Sequence, residues 1–401
     1  MEEESSLRKG VLVVHPGLQH SHQLAWALHE RRILKLFWSG MPVRDSSVSE
    51  YWWLPRAHRS KIKFAEIGAS VRRHSVLFPA VRRLPGSLGL ATLAPDFERR
   101  LDQAFDWRVS RAIGTLSPAV VVAYENCAFH IFKAAKAIGA MCVLDAASVH
   151  HRFGSKNFEV RDTPHLAETI RRLDIEVANA DLILTCSQIA ADSYTAAGVP
   201  ATKVRVFPLG ASVQTRFPAR LPHNNELHFL FAGVLSHRKS IDIILSVFSR
   251  LNDEGHKAHL TLAGGAGEDG WIERIGSVPN ARYLCSMPQG QLHQLMAESD
   301  CLLLPSRVDS FGMVVAEAMA CGTPAIVSTN TGASMLIRDF PGSGWIIEAR
   351  EDALYQCILR LIENRQTLFN ARLQAFKASE RYSWNSYREE VGKLFSELVR
   401  K

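Results

Sequence analysis

Short, largely apolar runs alternate with segments of helical pattern along most of the chain. In the first half the apolar runs are residues 11–15, 33–38, 120–123, 142–144, 182–185 and 204–207. Helical patterns follow several of them, including residues 128–138 and 167–178. Short continuous apolar runs predict strands that are buried on both faces, as in a parallel sheet covered by helices. The pattern therefore predicts an α/β fold.

The same alternation restarts after a polar segment that contains proline, residues 216–225. Apolar runs at 227–232, 259–263, 283–285, 302–305 and 325–328 predict a second parallel sheet. Polar, proline-bearing composition is typical of a linker. The sequence thus predicts an N-terminal α/β domain over 1–217, a second over 226–380, and a final helix over 381–401.

The stretch 302–328, LLLPSRVDSFGMVVAEAMACGTPAIVS, carries the most chemistry. A buried strand ends at Pro305, and a helix is predicted over 311–320, where Gly322 and Pro324 end it. This helix is apolar on every side and is therefore expected to be buried on every side. It nevertheless carries Glu317, and a buried carboxylate is costly unless hydrogen-bond donors meet it.

The start of this helix favours an anion, because its first N–H groups have no partner within the helix. Gly312 allows an anion to approach the backbone closely. A ligand that fits this helix has an anion at the helix start and a group rich in hydrogen-bond donors one to two turns along. A nucleoside diphosphate has both, with its diphosphate at the helix start and its ribose diol at Glu317. The donor-binding residues predicted in this stretch are Ser310, Phe311, Gly312, Met313, Val314 and Glu317. Asp309 stands in the loop where the other substituent of the diphosphate would lie.

The stretch resembles the E-x7-E region of the retaining GT-B-fold glycosyltransferases of family 4 (glycosyl transferases group 1). Asp309 stands where that family usually has Glu, and residues 317–324, EAMACGTP, fit its pattern closely. The alternative is that Asp309 caps the helix and Glu317 is a satisfied core carboxylate. The resemblance implies two Rossmann-like domains that face each other across a cleft. It also implies a C-terminal helix that crosses back onto the first domain after residues 382–384.

The resemblance extends to two loops of the first domain. In the family the loop after the first strand faces the interdomain cleft, and Gly17 matches its glycine, so Gly17 is a predicted donor-binding residue. Residues 145–150, DAASVH, resemble the family's D-x-x-S-x-H segment, whose histidine reaches the donor sugar. His150 is therefore a predicted catalytic residue, and the adjacent His151 competes for the role. The alternative is that His150 only caps the end of a strand and has no catalytic role.

In the second domain the resemblance implies cations that bind the donor diphosphate. Lys239 matches one of them, but Val234 stands in place of the usual Arg and Ser240 in place of the usual Gly. Arg238 is expected to supply the missing charge. Gly264 belongs to a Gly-rich turn, and Met287 to a loop that touches the nucleotide base in relatives. Residues 265–270 also satisfy G-x-G-x-x-G, but the turn is acidic where a pyrophosphate should bind.

The function implied is transfer of a hexosyl group, with retention, from a UDP- or GDP-sugar to a glycan or lipid-linked acceptor. Lys239, Arg238 and the helix N-terminus would stabilise the leaving diphosphate without a metal or cofactor. Asp309 would bind the sugar hydroxyls, and His150 would stabilise charge at the anomeric centre. The alternatives are a sugar phosphorylase or nucleotide-sugar epimerase on this fold, or a non-catalytic nucleotide-sugar binder.

Composition excludes several other classes. The 401 residues are 47% hydrophobic and 22% charged, as expected for a globular protein large enough for two domains. Seven scattered cysteines without a C-x-x-C pair suggest neither a zinc site nor a disulfide framework, so a cytoplasmic location is expected. His20 and His22 lie close together, but no third ligand is near in sequence, and they could equally serve as hydrogen-bond donors. No metal site is predicted.

The formal net charge is +7, and it is concentrated in residues 56–111. Aromatic and apolar groups interrupt these basic residues, at Trp52, Trp53 and residues 76–78. Such a composition is typical of a surface that binds anionic lipids, or of a solvated basic lid. Nucleic acid is not an expected partner, because no recognised binding motif accompanies the charge. We expect the segment to hold the acceptor side at the inner face of the cytoplasmic membrane.

Overall fold

The computed structural model describes residues 10–17, 19–40, 67, 71–73, 94–153, 165–212, 226–268 and 270–400. The chain divides into two compact units. Unit 1 consists of Met1–Thr185, Ser193–Phe207 and Tyr387–Lys401, and unit 2 of Cys186–Asp192 and Pro208–Ser386. The linker predicted at 216–225 lies outside the described residues, so the boundaries at 217 and 226 stay predictions.

In unit 1 the described strands form one parallel sheet of seven, in the order β3-β2-β1-β4-β5-β6-β7. They are β1 Val11–His15, β2 Leu34–Ser39, β3 Val71–Arg73, β4 Val120–Tyr124, β5 Met141–Ala146, β6 Leu182–Thr185 and β7 Val204–Val206. The chain runs from β1 outward to β2 and then returns to β4 on the other side of β1. The carboxyl ends of β1 and β4 therefore flank a topological switch point, where open α/β sheets bind ligands.

The described helices of the first half of the chain are α1 Ser21–Glu30, α2 Ala94–Leu116, α3 Phe129–Ala137, α4 Leu166–Asn179 and α5 Gln188–Ala196. Two buried carboxylates fix the start of α3. Asp106 accepts hydrogen bonds from the N–H groups of His130 and Ile131, and Glu176 accepts from those of Asn126 and Ala128. Burial raises the pKa of Glu176 to about 8. Both side chains bind backbone donors that the first turn of a helix leaves unpaired.

In unit 2 the described strands form a parallel sheet of six, in the order β10-β9-β8-β11-β12-β13. They are β8 Leu227–Ala232, β9 Ala258–Gly264, β10 Ala281–Cys285, β11 Cys301–Leu304, β12 Ala325–Ser328 and β13 Gly344–Ile347. The sheet has the same winding as the first, since β8 is flanked by β9 on one side and β11 on the other. Its switch point therefore lies at the carboxyl ends of β8 and β11.

The helices described in the second half are α6 Ile241–Asp253, α7 Trp271–Gly276, α8 Gln289–Glu298, α9 Met313–Ala320, α10 Ser334–Asp339, α11 Glu351–Glu363, α12 Gln366–Arg381 and α13 Trp384–Arg400. From Tyr387 onward α13 belongs to unit 1. There Arg388 donates to the side-chain oxygen of Gln23 at 2.7 Å, and Arg31 donates to the carbonyl of Glu389 at 3.0 Å. The predicted return of the final helix to the first domain is confirmed.

Burial follows the apolar pattern of the strands. Every residue of β1 and β4 is buried, as is every residue of β11 and β12. The central strands of both sheets are covered on both faces, which explains their continuous apolar sequence. The predicted α/β fold with two parallel sheets is confirmed. No helix in the described ranges combines the length and apolar character that a membrane-spanning segment requires.

Candidate functional site

The predicted donor-binding residues of unit 2 gather at its switch point. The loops after β8, β9 and β11 meet there, together with the start of α9. The chain reaches this arrangement through two glycines in close contact. At Gly264, with φ +148°, an added Cβ would lie 1.9 Å from the carbonyl oxygen of Gly233. This approach requires glycine, because the ends of β8 and β9 have no room for a side chain.

Helix α9 begins at Met313, two residues later than predicted. Gly312 precedes it with φ +89°, in the left-handed region that favours glycine. An added Cβ at Gly312 would also lie 2.8 Å from Leu304 Cδ2. The helix therefore starts at the third residue of the predicted range, and the N–H groups of its first turn begin with Met313.

A pocket of about 340 Å³ opens beside α9. Pockets of 300–1,000 Å³ are typical of small-molecule sites. Five predicted donor-binding residues contribute to it: Gly264, Met287, Met313, Val314 and Glu317. The other lining residues are Ala232, Gly233, Val234, Ala263, Gly265, Ser286 and Leu292.

The expectation that α9 is buried on every side is wrong. Met313, Val314 and Glu317 are only partly buried, whereas the other five residues of the helix are buried. Glu317 is four residues from Met313 and three from Val314, and residues at these spacings are neighbours on a helix. The three side chains therefore line the pocket together. The apolar sequence thus covers a ligand-sized opening as well as the core. Glu317 Oε1 accepts a hydrogen bond from Gln289 Nε2 at 3.2 Å.

Lys239 and Asp309, both predicted catalytic residues, form an ion pair through Lys239 Nζ and Asp309 Oδ2. Each side chain is largely buried, with 14% and 12% exposed. Lys239 ends a short 3-10 helix, His237–Lys239, and the next residue, Ser240, has φ +60°. A left-handed backbone at this position favours glycine. The sequence holds serine there, so the turn keeps its shape at some conformational cost.

Arginines hold the loop that carries Asp309. Arg307 makes two parallel hydrogen bonds of 2.7 Å with the carboxylate of Asp242, which is the strongest geometry for such a pair. Arg238 donates to the carbonyl of Val308 at 2.9 Å, and its side chain is otherwise exposed. Val234, where an arginine was expected, is 55% exposed and lines the pocket without charge.

Ser310 and Phe311 offer mainly backbone atoms. The carbonyl of Ser310 accepts a hydrogen bond from Ser187 Oγ at 2.5 Å. The side chain of Phe311 is buried, with 3% exposed, and its carbonyl accepts from the N–H of Ala333 at 2.5 Å. Neither side chain lines the described pocket. These residues could therefore contact a ligand there only through backbone atoms.

His150 lies in unit 1, just beyond the end of β5, and it is almost completely buried. Its Nδ1 accepts a hydrogen bond from the N–H of Arg152 at 3.3 Å, and its ring contacts the edge of Tyr194 at 4.9 Å. Burial, and then the neighbouring His151, lower the pKa of His150 to about 4. The ring is therefore neutral near pH 7, with its proton on Nε2. It can donate a hydrogen bond to an oxygen, but it brings no positive charge.

His151, the competitor for this role, is already bonded to a carboxylate. Its Nε2 lies 2.8 Å from Asp174 Oδ1, and Arg152 donates to both oxygens of Asp174 at 2.9 and 2.5 Å. The hydrogen bond from Arg152 lowers the pKa of Asp174 to about 2. The ligand atoms of His150, His151 and Asp174 lie within 4.8 Å of one another, a group that a metal ion could use. The guanidinium already neutralises the carboxylate, so these residues fit a hydrogen-bonded network better than a cation.

Gly17 is placed in the loop after β1, and its N–H donates to His15 Nδ1 at 2.7 Å. Burial, and then the proximity of His20, lower the pKa of His15 to about 3, so this acceptor is neutral. The N–H of Gly17 is thus engaged within its own loop. A ligand there would meet the Cα of Gly17, whose lack of a side chain leaves the ring of His15 uncovered.

Two histidine–carboxylate contacts were not predicted from the sequence. His20 bonds Asp145, 125 residues away, and His151 bonds Asp174. The signal for the first pair was present, since the loop after β1 and the end of β5 lie at the same edge of a parallel sheet. For Asp174, in the middle of α4, the sequence holds no comparable signal. The basic stretch between residues 56 and 93 lies almost wholly outside the described residues, as do Trp52, Trp53 and residues 76–78.

Comparison with solved structures identifies the class of fold. Anabaena HepE in complex with UDP-glucose superimposes with a TM-score of 0.65 at 16% identity, covering 97% of this chain and 99% of that one. Each of the two units has a parallel sheet covered by helices. Together with this structural similarity, that architecture assigns the chain to the GT-B fold.

Sequence relatives narrow the class. Residues 213–380 match the family model "Glycosyl transferases group 1", so unit 2 contains a domain of that family. An uncharacterized glycosyltransferase of Methanocaldococcus jannaschii is 25% identical over 180 residues, covering 43% of this chain and 45% of that protein. The D-inositol 3-phosphate glycosyltransferase of Corynebacterium jeikeium is 26% identical over 247 residues, covering 55% and 58%. The chain spans about half the length of the curated relatives it matches.

Proposed function

We propose that the protein is a retaining glycosyltransferase of family 4 that moves a hexosyl group from a nucleotide-diphosphate sugar. The acceptor is a glycan or a lipid-linked sugar, used in the synthesis of a cell-surface polysaccharide or glycolipid. The pocket beside α9 carries the proposal. It presents a carboxylate, Glu317, one turn along from an open helix start at Met313, which suits a ribose diol and the phosphates attached to it.

Each residue then has a defined task. Glu317 accepts hydrogen bonds from the ribose hydroxyls, while the first N–H groups of α9, Lys239 and Arg238 stabilise the leaving diphosphate. Asp309 binds sugar hydroxyls, and its ion pair with Lys239 holds both side chains in one place. His150 donates from Nε2 to an oxygen of the transferred sugar. Because its pKa is lowered to about 4, the ring is neutral near pH 7. It therefore orients the sugar and supplies no formal charge.

A panel of nucleotide sugars tests the proposal. A ligand at about 100 times its dissociation constant adds about 2.7 kcal/mol to the stability of the folded state, so binding raises Tm. We expect a UDP- or GDP-sugar to raise Tm, and the same compound to serve as donor in a transfer assay read by mass spectrometry. The anomeric configuration of the product, determined by NMR, tests retention. If no nucleotide sugar shifts Tm or reacts, the proposal is wrong.

A non-catalytic binder is the second candidate, because Val234 leaves the pocket without the expected cation. It predicts a rise in Tm with the donor and no turnover under any acceptor condition. A phosphorylase would instead require inorganic phosphate, and an epimerase would convert the sugar without an acceptor. The transfer assay, run with and without phosphate, separates these three from a transferase.

We expect transfer to need no divalent metal. Lys239, Arg238 and the start of α9 already provide positive potential for the diphosphate, which is the role a metal otherwise fills. Activity should be unchanged in EDTA after extensive dialysis. Loss in EDTA that magnesium or manganese restores would contradict the prediction. Repeating the measurement with Asp174→Asn would then show whether the His150, His151 and Asp174 group holds the ion.

We also propose that the basic surface of unit 1 associates with an anionic membrane. The described part of α2 supports it. Trp107 is 51% exposed, the guanidinium of Arg111 lies 4.9 Å from the centre of its ring, and Arg100 and Arg108 are exposed on the same helix. The exposed residues of α2 among those whose burial is described include no acid. An exposed tryptophan among arginines is typical of helices that lie in the headgroup region.

Vesicle co-sedimentation tests this surface. Each arginine near an anionic surface contributes about 1 kcal/mol, so Arg108→Glu with Arg111→Glu should release most of the bound protein. Binding to phosphatidylglycerol vesicles should also fall with salt and be absent with phosphatidylcholine. The double variant Arg350→Glu, Arg360→Glu changes the charge equally on exposed residues of unit 2 and serves as control. Wild-type protein that stays in the supernatant at low salt contradicts the proposal.

A further inference from the structure

A buried histidine–carboxylate pair lies at the switch point of the first sheet, outside the donor pocket. His20 Nε2 lies 3.0 and 2.9 Å from the two carboxylate oxygens of Asp145. His20 is 6% exposed and Asp145 is 5% exposed. His20 immediately precedes α1, in the loop after β1, and Asp145 lies near the carboxyl end of β5. Neither residue has a role in the donor binding described above.

The pair fixes the tautomer of His20. A carboxylate oxygen accepts the proton of a facing ring nitrogen, so the Nε2–H tautomer of the imidazole donates to Asp145. Nδ1 then carries a free lone pair. No hydrogen bond from the described part of the chain reaches Nδ1, whereas the corresponding nitrogen of His15 is bonded to the N–H of Gly17. An accepting nitrogen that the described residues leave open at this edge of the sheet is available to a ligand that donates a hydrogen bond.

The surroundings hold the ring still. Tyr124, at the end of β4, packs edge-on against His20 with 5.4 Å between ring centroids, and Tyr387 of α13 does the same at 6.2 Å. Tyr124 also contacts His15, at 4.4 Å. The imidazole is therefore oriented by three elements that meet where α/β sheets bind ligands.

We propose that His20 Nδ1 accepts a hydrogen bond from a hydroxyl of the glycosyl acceptor, and that Asp145 is a positioning residue that fixes the tautomer. The inference rests on the proposed function and narrows the acceptor to a polyol, such as a sugar or cyclitol. In a retaining front-face transfer, the attacking hydroxyl gives its proton to the leaving phosphate oxygen. His20 therefore binds a hydroxyl next to the attacking one, so the acceptor carries at least two neighbouring hydroxyls.

Two amide substitutions separate this role from a structural one. Asparagine at position 20 places its Oδ1 near the site of Nδ1, whereas glutamine places its amide near Nε2, opposite Asp145. If Nδ1 binds the acceptor, His20→Asn should keep more acceptor affinity than His20→Gln. Asp145→Asn can donate to Nε2 and move the ring proton to Nδ1, which converts the acceptor into a donor. We expect Asp145→Asn to behave like His20→Gln.

The experiment measures acceptor KM and kcat with methyl hexopyranosides as probe acceptors and the donor identified by the Tm panel. Losing one hydrogen bond changes affinity about tenfold, so His20→Gln and Asp145→Asn should raise acceptor KM by about that factor. Donor Kd, measured by calorimetry, should stay within about twofold because the pair is not part of the donor pocket. His259→Ala is the matched control, since His259 pairs with Glu226 at 2.8 Å where the strands of unit 2 begin. Thermal unfolding is recorded for each variant so that only folded protein is compared.

Monodeoxy methyl glycosides complete the test. One of them should be used equally well by wild type and His20→Gln, because it lacks the hydroxyl that His20 binds. Equal KM for all variants, or better rescue by glutamine than by asparagine, would show that the pair is only structural. Loss confined to kcat, with an inverted product, would make His20 a general base and overturn the assignment. A wild type that transfers normally in these cases leaves the proposed function standing, whereas no transfer from any donor overturns both.

Discussion

Replacing Lys239 by methionine is expected to lower kcat for glycosyl transfer by about 10²–10³-fold, the usual cost of removing one preorganised group that stabilises developing charge. Lys239 is largely buried and held by Asp309, so its charge is already in place when the diphosphate leaves. Donor affinity should change less than kcat, because the negative charge on the leaving diphosphate grows in the transition state.

Three variants make this result interpretable. Lys239→Met leaves the Asp309 carboxylate without its cation, so the double variant with Asp309→Asn checks that the loss is not due to a buried charge. Lys203→Met is a control, because Lys203 donates to the carbonyl of Ala180 in unit 1. Arg238→Ala should cost less than Lys239→Met, since its guanidinium already bonds the Val308 carbonyl. A loss below about tenfold for Lys239→Met would remove this residue from the catalytic set, since such a loss is typical of a single weakened hydrogen bond.

Replacing Glu317 by glutamine should weaken donor binding by about 10–100-fold, the range for hydrogen bonds to a charged group worth about 1.5–3 kcal/mol. A carboxylate accepts from both ribose hydroxyls, whereas an amide offers one accepting oxygen. The fold should change little, because Glu317 lies on the open face of α9 and its hydrogen bond to Gln289 is exposed. Titration calorimetry with UDP and GDP measures the change.

The chain offers a matched control for this substitution. Glu298 accepts from Gln294 at 3.0 Å on an exposed face of α8, the same carboxylate–amide chemistry outside the pocket. Glu298→Gln should leave donor affinity unchanged. If Glu317→Gln binds nucleotides as tightly as wild type, Glu317 does not meet the ribose. The pocket would then need another polar group to fix the nucleoside.

Several site residues could be located from sequence because their signals are local. Gly312 and Glu317 belong to one strand–loop–helix unit, where an apolar helix with a single carboxylate is conspicuous within a few turns. Their spacing follows from the helix itself, so the pocket-facing side of α9 could be anticipated in part. The prediction that α9 is buried on every side was wrong, because an apolar pattern does not distinguish the wall of a pocket from the core.

The sequence by itself determined the alternation of strands and helices, the two parallel sheets and the stretch around α9, because these depend on burial and on contacts a few residues apart. Only the tertiary structure decided which distant residues meet. Lys239 and Asp309 are 70 residues apart, and His20 and Asp145 are 125 apart. Lys239 and Asp309 follow β8 and β11, which lie side by side, whereas β4 lies between β1 and β5, the strands next to His20 and Asp145. In both sheets the parallel order brings the carboxyl-end loops of strands that are not consecutive in the chain to one edge. Strand order depends on how all the helices pack onto a sheet, and no local pattern records it.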